Sequence, residues 1–420
     1  MDAAVDGATD AGASDADGTD AGATDAGAPN LTVRIQRGPA APVDGLWVAV
    51  SASTGQARSA TQTSADGTAM VHVEPGDQLT ALWFNGDAYY TTIAGVQPGD
   101  QIVIADAPPR PTVRGSIAVT LPPIAVGSGW VSVTSDCAGA LVTSAPTSLD
   151  GCRTDDLIDV EALATSAPFP GPAQEVGFAV AQDVPFGASL TLGPWQTPRT
   201  AHLALAIAQP PAAGWDWIEL QRTGSPRLPW RVLGDVGHAA PLPPTLDLAY
   251  DAAPAEATRL VVHDLVPGTG GTWTQRREAT LPPMASPPPA TVAVDVTAAL
   301  PPRLGGPSIT TPVPGRPRLT WSGNAAGTTG YVRLTLTSGG GGALLTTWTV
   351  YLPPGATEFR VPALPPPLTS PGLDGDRLMS STIEVVDQSD LRWDDFRQQP
   401  RQRPAPVGPA ASRTITSLEY

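Results

Sequence analysis

Apolar and polar residues alternate strictly in the segment LTVRIQR, residues 31–37. In an extended chain this alternation places Leu31, Val33 and Ile35 on one face and the polar residues on the other. The same period of two returns after short breaks rich in Pro and Gly. Its apolar positions are Leu46, Val48 and Val50; Val71 and Val73; Leu79, Ala81 and Trp83; and Ile102 and Ile104. The pattern predicts an all-β chain whose strands each bury one face.

Composition points the same way. The 420 residues include 43 Gly and 48 Pro, which disfavour long helices because Gly carries high backbone entropy and Pro lacks an amide donor. The best helix candidate is the polar stretch 389–397. Two further strands are predicted at 331–336 and 347–352, with the glycines of 339–342 as the turn between them.

Three dipeptides separate the early strands: Asp44-Gly45, Asp66-Gly67 and Asn85-Gly86. Their tolerance of positive φ suits tight hairpins. We therefore expect a compact sandwich of roughly 80 residues, ending near Ala107.

A weak internal repeat divides the middle of the chain. Trp130 and Trp215 each follow a strand-like run that ends in Pro-Pro. Val184 and Val266 belong to a second pair of matching motifs at nearly the same separation. A period of roughly 80 residues is too long for a solenoid unit and indicates repeated domains. The predicted division is a disordered tether at 1–29 and β-sandwiches at 30–108, 109–198, 199–290 and 291–420.

The N-terminal stretch 1–29 carries seven Asp and no basic residue. A chain this polar buries too little apolar surface to fold, and charge repulsion extends it. The tract 2–29 resembles the Asp/Ala/Gly/Thr tethers of secreted lipoproteins in myxobacteria and related bacteria. The resemblance implies export to the periplasm, the outer-membrane surface or the medium through a signal sequence missing here, with membrane attachment only through a lipid anchor absent from this chain.

The order of features in residues 38–104 resembles a carboxypeptidase regulatory-like domain. The matching motifs are PVDG at 42–45, TSADGTA at 63–69, PGD at 75–77 and GVQPGD at 95–100. The resemblance implies a transthyretin-like sandwich that serves as a non-catalytic spacer. The expected fold class is therefore all-β, with tandem antiparallel β-sandwich domains, Ig-like or transthyretin-like, after a disordered N-terminal linker.

The two cysteines, Cys137 and Cys152, lie close together in the sequence. In an oxidising compartment they would close a loop of roughly 15 residues, worth about 3 kcal/mol in the chain-entropy model. They lack the clustered His pair of a zinc site, and their spacing is far from Cys-x-x-Cys. A disulfide is the favoured interpretation, and free thiols are the alternative.

Several enzyme classes are excluded by composition. All 24 basic residues are Arg, and the missing lysine excludes P-loop, Schiff-base and protein-kinase chemistry. No Gly-x-Ser-x-Gly or His-Glu-x-x-His motif occurs. The adjacent pair His263-Asp264 is interpreted as strand residues on opposite faces, with His263 at the surface. The formal net charge of −16 argues against nucleic-acid binding. We expect no catalytic site, no cofactor and no metal.

Eleven tryptophans suggest the sharpest functional hypothesis. Trp195, Trp215, Trp217 and Trp230 crowd together, and exposed indoles on a sandwich could stack on sugars. The competing interpretation is that Trp fills the cores, with Trp215 and Trp217 sharing one face of a strand. The predicted function is an exported, non-catalytic scaffold or recognition module with surface polysaccharide or envelope-protein partners. The alternatives are carbohydrate binding through Trp215 and Trp217 and, more remotely, a hydrolase with an interdomain site.

Overall fold

The computed structural model describes only part of the chain, and the statements below refer to that part. The described residues are 27–37, 41–85, 87–105, 113–123, 129–136, 138–142, 146–152, 155–166, 175–197, 200–206, 215–223, 231–237, 245–251, 257–268, 271–280, 291–295, 304–313, 316–322, 329–339, 345–365, 368, 378–400 and 413–419. The predicted tether at 1–29 lies almost entirely outside them. Within the described ranges, the structure shows no helix with the length and apolar character needed to cross a membrane.

The all-β prediction is confirmed, since 29 strands and one short helix make up the described regular structure. The first half comprises β1 (Leu31–Arg37), β2 (Ala41–Pro42), β3 (Trp47–Ser51), β4 (Ala57–Gln62), β5 (Thr68–Val71), β6 (Asp77–Asn85), β7 (Asp87–Val96), β8 (Gln101–Ala105), β9 (Gly115–Thr120), β10 (Trp130–Thr134), β11 (Gly139–Val142), β12 (Thr147–Gly151), β13 (Leu157–Thr165), β14 (Glu175–Pro185) and β15 (Ser189–Thr191). The second half comprises β16 (Thr200–Ala206), β17 (Trp215–Thr223), β18 (Arg231–Gly237), β19 (Thr245–Asp251), β20 (Ala257–Gly268), β21 (Gly271–Thr280), β22 (Thr291–Asp295), β23 (Gly305–Val313), β24 (Arg316–Ser322), β25 (Tyr331–Ser338), β26 (Thr346–Leu352), β27 (Glu358–Arg360), β28 (Leu378–Gln388), α1 (Trp393–Phe396) and β29 (Arg413–Glu419).

One sheet of twelve strands runs through most of the molecule. Its order is β18-β17-β20-β21-β29-β28-β25-β26-β7-β6-β3-β4. Among its described pairings, β7 with β26 is parallel and the others are antiparallel. This large sheet includes strands from three of the four predicted sandwiches. The domain boundaries themselves remain a prediction.

The first sandwich packs a small sheet on one face of the large one. The small sheet consists of β5, β1 and β8, with β2 paired at the end of β1. Leu31, Val33 and Ile35 are each at most 1% exposed in the core between the two sheets. The other apolar positions predicted for strands 30–104 also enter this core, with Leu46 partly buried. The period of two therefore identified this core correctly.

The hairpin prediction is correct at only one of the three dipeptides. At Asn85-Gly86, β6 and β7 pair directly as far as Asn85 and Asp87, while Gly86 itself lies outside the described residues. Gly45 and Gly67 have the positive φ expected, 67° and 75°. However, the strands they connect lie in different sheets, because β2 and β5 pair with β1 whereas β3 and β4 pair with each other. These two turns carry the chain across the sandwich instead of closing hairpins.

A second small sheet, β23-β24-β27, covers the opposite face of the large sheet. Trp348, Trp321 and Phe359 pack in the core between them. Tyr90 stacks on Trp348 with ring centroids 4.5 Å apart. Burial raises the pKa of Tyr90 to about 12. The middle of the large sheet is thus buried on both faces, which fits its long apolar strands.

Residues 115–192 form another two-sheet core. Its sheets are β11-β10-β13-β14 and β12-β9-β15. Ile117, Val133 and Val160 are fully buried between them. The stretch 154–164, which fits helix or strand by sequence, is strand β13 from Leu157 onward. A further small sheet, β19-β16-β22, is described by its backbone.

The predicted helix near 389–397 is present as the four-residue α1, with Asp394 and Asp395 in its first turn. Residues 393–398, here called the clasp, lie against the first sandwich. Phe396 stacks on Tyr331 at 4.0 Å, and the Val103 amide donates to the Gln398 carbonyl at 2.7 Å. The clasp therefore joins the C-terminal part of the chain to strand β8.

Candidate functional site

A polar groove lies on the large sheet and crosses four neighbouring strands, β21, β29, β28 and β25. It has a volume of about 300 Å³. Its lining residues are Arg276, Glu278, Arg333, Thr335, Thr382, Glu384, Ile415, Ser417 and Glu419. Charged groups and hydroxyls dominate this lining.

Strand register arranges the groove floor in rows. The first row is Arg276, Ser417, Glu384 and Arg333, because each is the cross-strand partner of the next. The second row is Thr274, Glu419, Thr382 and Thr335. Neighbouring strands are about 4.8 Å apart, so each row offers a regular series of donors and acceptors.

Ion pairs fix the charged groups of the floor. Arg333 Nη2 lies 2.9 Å from Glu384 Oε2, and Glu278 Oε2 lies 3.0 Å from Arg276 and 3.1 Å from Arg259. Both carboxylates are largely buried, with the Glu278 side chain 8% and the Glu384 side chain 13% exposed. Buried charges of this kind are held by their partners, which leaves an ordered polar surface suited to hydrogen bonding.

The groove row continues toward both ends of the sheet. On one side Arg333 pairs in register with Tyr351, whose pKa burial raises, so that its phenol stays protonated. On the other side Arg276 pairs in register with the half-buried His263. His263 is thus less exposed than the surface position expected for it.

A second concavity, here called the seam crevice, lies where the first sandwich meets β26 and β27. Its volume is about 500 Å³. Its lining residues are Ser53, Thr54, Gly76, Gln78, Ala94, Gly95, Leu352, Pro353, Ala356, Glu358, Phe359 and Arg360. The crevice therefore combines two groups of residues that are far apart in the sequence.

The two tryptophans proposed for sugar binding lie in β17, where the structure describes their backbone and not their side chains. Trp217 pairs in register with His263, whereas Trp215 pairs with Asp264 across a register shift. The shared face predicted for Trp215 and Trp217 concerns their side chains and remains a prediction. Their role in binding remains a prediction. Trp230 lies outside the described residues.

Other tryptophans occupy mixed environments. Trp195 packs partly against the core of residues 115–192, and its Nε1 donates to the Pro123 carbonyl at 2.7 Å. Trp130, predicted to lie in a core, is half-buried at the start of β10.

The disulfide prediction concerns Cys137, which lies outside the described residues, and Cys152. The described residues that precede Cys137 contact the Asp150–Cys152 segment. The Cys152 amide donates to Asp136 Oδ2 at 3.1 Å, and Ser135 Oγ donates to the Asp150 carbonyl at 2.6 Å. The Cys137–Cys152 bond remains a prediction that these contacts support.

Sequence reasoning did not identify the groove or the crevice. Arg276, Glu278, Arg333 and Glu384 sit at alternating strand positions, which resemble any solvated strand face. These residues form one groove only because strands that are distant in the sequence pair in the large sheet. Within the described ranges, no group of three His, Cys, Asp or Glu side chains could hold a metal ion.

No protein family model matches this sequence, and no curated protein matches it significantly. Among solved structures, the chain is similar to the Bacillus anthracis TIE protein, with 11% identity and a TM-score of 0.15 over 57% of this chain. It spans only 45% of that protein. It is also similar to the N-terminal four Ig domains of Dscam1 isoform 4.44, with 9% identity and a TM-score of 0.13 over 82% of this chain and 88% of that one. The chain has a remote likeness to β-rich, Ig-like proteins.

Proposed function

We propose that this chain is a non-catalytic, exported protein of the cell surface whose joined β-sandwiches serve as a scaffold and recognition module. The observation that carries the proposal is the continuity of the large sheet. Thr346–Tyr351 of β26 and Ala88–Ile93 of β7 form six consecutive register pairs. A shared hydrogen-bond ladder holds two parts of the chain more rigidly than a surface contact between separate domains.

Further contacts reinforce this junction. Ser51 Oγ donates to the Ala363 carbonyl at 3.1 Å, and Arg316 Nη2 donates to the Gly55 carbonyl at 2.7 Å. The Trp348 indole donates to Thr92 Oγ1 at 2.8 Å within the core. Such a rigid body suits a scaffold that presents a surface at a fixed orientation.

Export is supported by the composition of the tether at 1–29 and by the cysteine pair Cys137 and Cys152. A tether of this acidic composition is expected to keep a folded body away from an anionic envelope. The expected partners are surface polysaccharide or other envelope proteins, with no nucleic acid.

The proposal is tested in the cells that encode the protein. Protease added to intact cells should remove the chain while cytoplasmic marker proteins survive. Purified chain should then bind an envelope fraction and release the bound polymer unchanged. Protection of the chain in intact cells, or conversion of the polymer to products, would refute the proposal.

Carbohydrate binding is the second candidate, and one observation favours it. The ion-paired row of the groove continues in backbone register through His263 to Trp217. A row of charged groups that leads to an aromatic residue suits sugars, which combine hydroxyls with apolar ring faces. Glycan-array binding lost in both Trp217→Ala and Glu384→Gln, and kept in Trp195→Ala, would support it. Equal binding by all three variants would refute it.

A further inference from the structure

The seam crevice contains a buried hydrogen-bond acceptor with no partner. Gln78 is only 6% exposed, and its Nε2 donates to the Ser53 carbonyl at 3.2 Å. A carbonyl can only accept, so this contact fixes which end of the amide is nitrogen. No hydrogen-bond partner reaches Gln78 Oε1 from any described residue. An unpaired buried acceptor costs about 1–3 kcal/mol, so a donor from a bound molecule would stabilise this position.

A guanidinium without a carboxylate partner stands at the rim of the same crevice. Arg318 pairs with Glu358, and Arg316 donates to two backbone carbonyls. In contrast, no carboxylate of the described chain lies within ion-pair distance of the exposed Arg360. Burial and the charge of Arg360 lower the pKa of Arg316. Glu358, the other charged residue of the lining, is paired with Arg318, so Arg360 is the lining charge without a carboxylate partner among the described residues.

The walls of the crevice also include apolar residues and glycines. Half-buried Pro353 supplies apolar surface, together with the small exposed parts of Leu352 and Phe359, each 3% exposed. Gly76 has φ +89°, and nothing lies within 4 Å of where its Cβ would be. Ser53 and Thr54 add hydroxyls. The volume of about 500 Å³ lies within the range of small-molecule sites, which commonly form between domains.

From these features we infer that the seam crevice binds an acidic sugar residue, a uronate at the end of or within a short saccharide. A ring hydroxyl donates to Gln78 Oε1, the carboxylate pairs with Arg360, and the apolar face of the ring packs on Leu352 and Pro353. A hydroxyl-rich ring matches the mixture of acceptor, hydroxyl and guanidinium groups better than a purely apolar ligand. The inference deepens the proposed recognition function, on which it rests, by naming a ligand class.

The test is titration calorimetry of the full chain with digalacturonate, with its neutral methyl ester as the matched probe. Two variants change the crevice: Gln78→Met removes the acceptor at similar volume, and Arg360→Gln removes the charge. Arg34→Gln is the control, because Arg34 is an exposed arginine of β1 that does not line the crevice. Each variant is checked for an unchanged thermal midpoint before titration.

Digalacturonate should bind the unaltered chain, and affinity should fall about tenfold or more in each crevice variant, as expected for a lost buried or charged hydrogen bond. The control should stay within about twofold, because its charge lies outside the crevice. Absence of binding at millimolar digalacturonate, equal binding of the methyl ester, or an equal loss in Arg34→Gln would each overturn the inference. Those results leave surface exposure and sheet continuity unchanged, so they are distinguishable from failure of the proposed function.

Discussion

Replacing Arg397 by Met should destabilise the junction between the clasp and the first sandwich. Arg397 donates to Asp100 through Nε at 2.9 Å and Nη2 at 3.0 Å. Both side chains are nearly buried, 9% and 6% exposed. Hydrogen bonding to Asp100 raises the pKa of Arg397. In the variant the Asp100 carboxylate stays buried. Among the described residues, its remaining hydrogen-bond donor is the Gln97 amide, 2.8 Å from Asp100 Oδ2.

Breaking a buried ion pair from one side costs about 3–5 kcal/mol, because a charge stays buried without compensation. Urea unfolding followed by tryptophan fluorescence measures the loss, since Trp393 lies within the clasp. Arg318→Met is the control, because its pair with Glu358 is exposed and should contribute about 0–1 kcal/mol. Adding Asp100→Asn to Arg397→Met should recover part of the stability, because it removes the stranded charge. Equal losses in Arg397→Met and Arg318→Met would refute the argument.

Three other features of the chain can each be tested by a single perturbation. Hydrogen bonds from Ser64 and Thr68 lower the pKa of Asp66 to about 2. Their contribution to stability is therefore present above about pH 4 and is lost as the pH falls through 2. An NMR titration of the Asp66 carboxyl should give this low pKa, and Ser64→Ala should raise it. In urea unfolding, Gly330→Ala should destabilise the protein more than Gly355→Ala. Both glycines have positive φ and share a strain of about 1–2 kcal/mol, but a Cβ at Gly330 would lie 1.9 Å from the Val386 carbonyl oxygen, whereas the site at Gly355 is open. Equal losses of stability would show that the close approach at Gly330 is absent. Alkylation without reductant should leave Cys137 and Cys152 unmodified, and reduction should lower stability by about 3 kcal/mol; two alkylated thiols in exported protein would disprove the disulfide.

The strand-level fold was predictable because its signal is local. Alternation alone placed Val33 and Ile35 in a core, where both are fully buried. Even α1 followed from a short polar stretch. Those elements form wherever neighbouring residues supply the right period.

The sites were not predictable, because they depend on pairing between distant residues. Arg397 and Asp100 are separated by 297 positions, and the Leu345 amide donates to Asp87 Oδ1 across 258. Nothing near Gln78 in the sequence indicates that β27 will close a crevice over it. The parallel pairing of β7 with β26 has no local signature either, because both strands read as ordinary sandwich strands.

Amide hydrogen exchange along Ala88–Ile93 tests the joined-sheet account most directly. In β7 successive amides point alternately to β6 and to β26. If the large sheet is continuous, both sets exchange slowly, since both find carbonyl partners. If the first sandwich instead ends at β7 as a separate domain, the amides that face β26 will exchange as fast as those of an exposed strand edge, and the account is wrong.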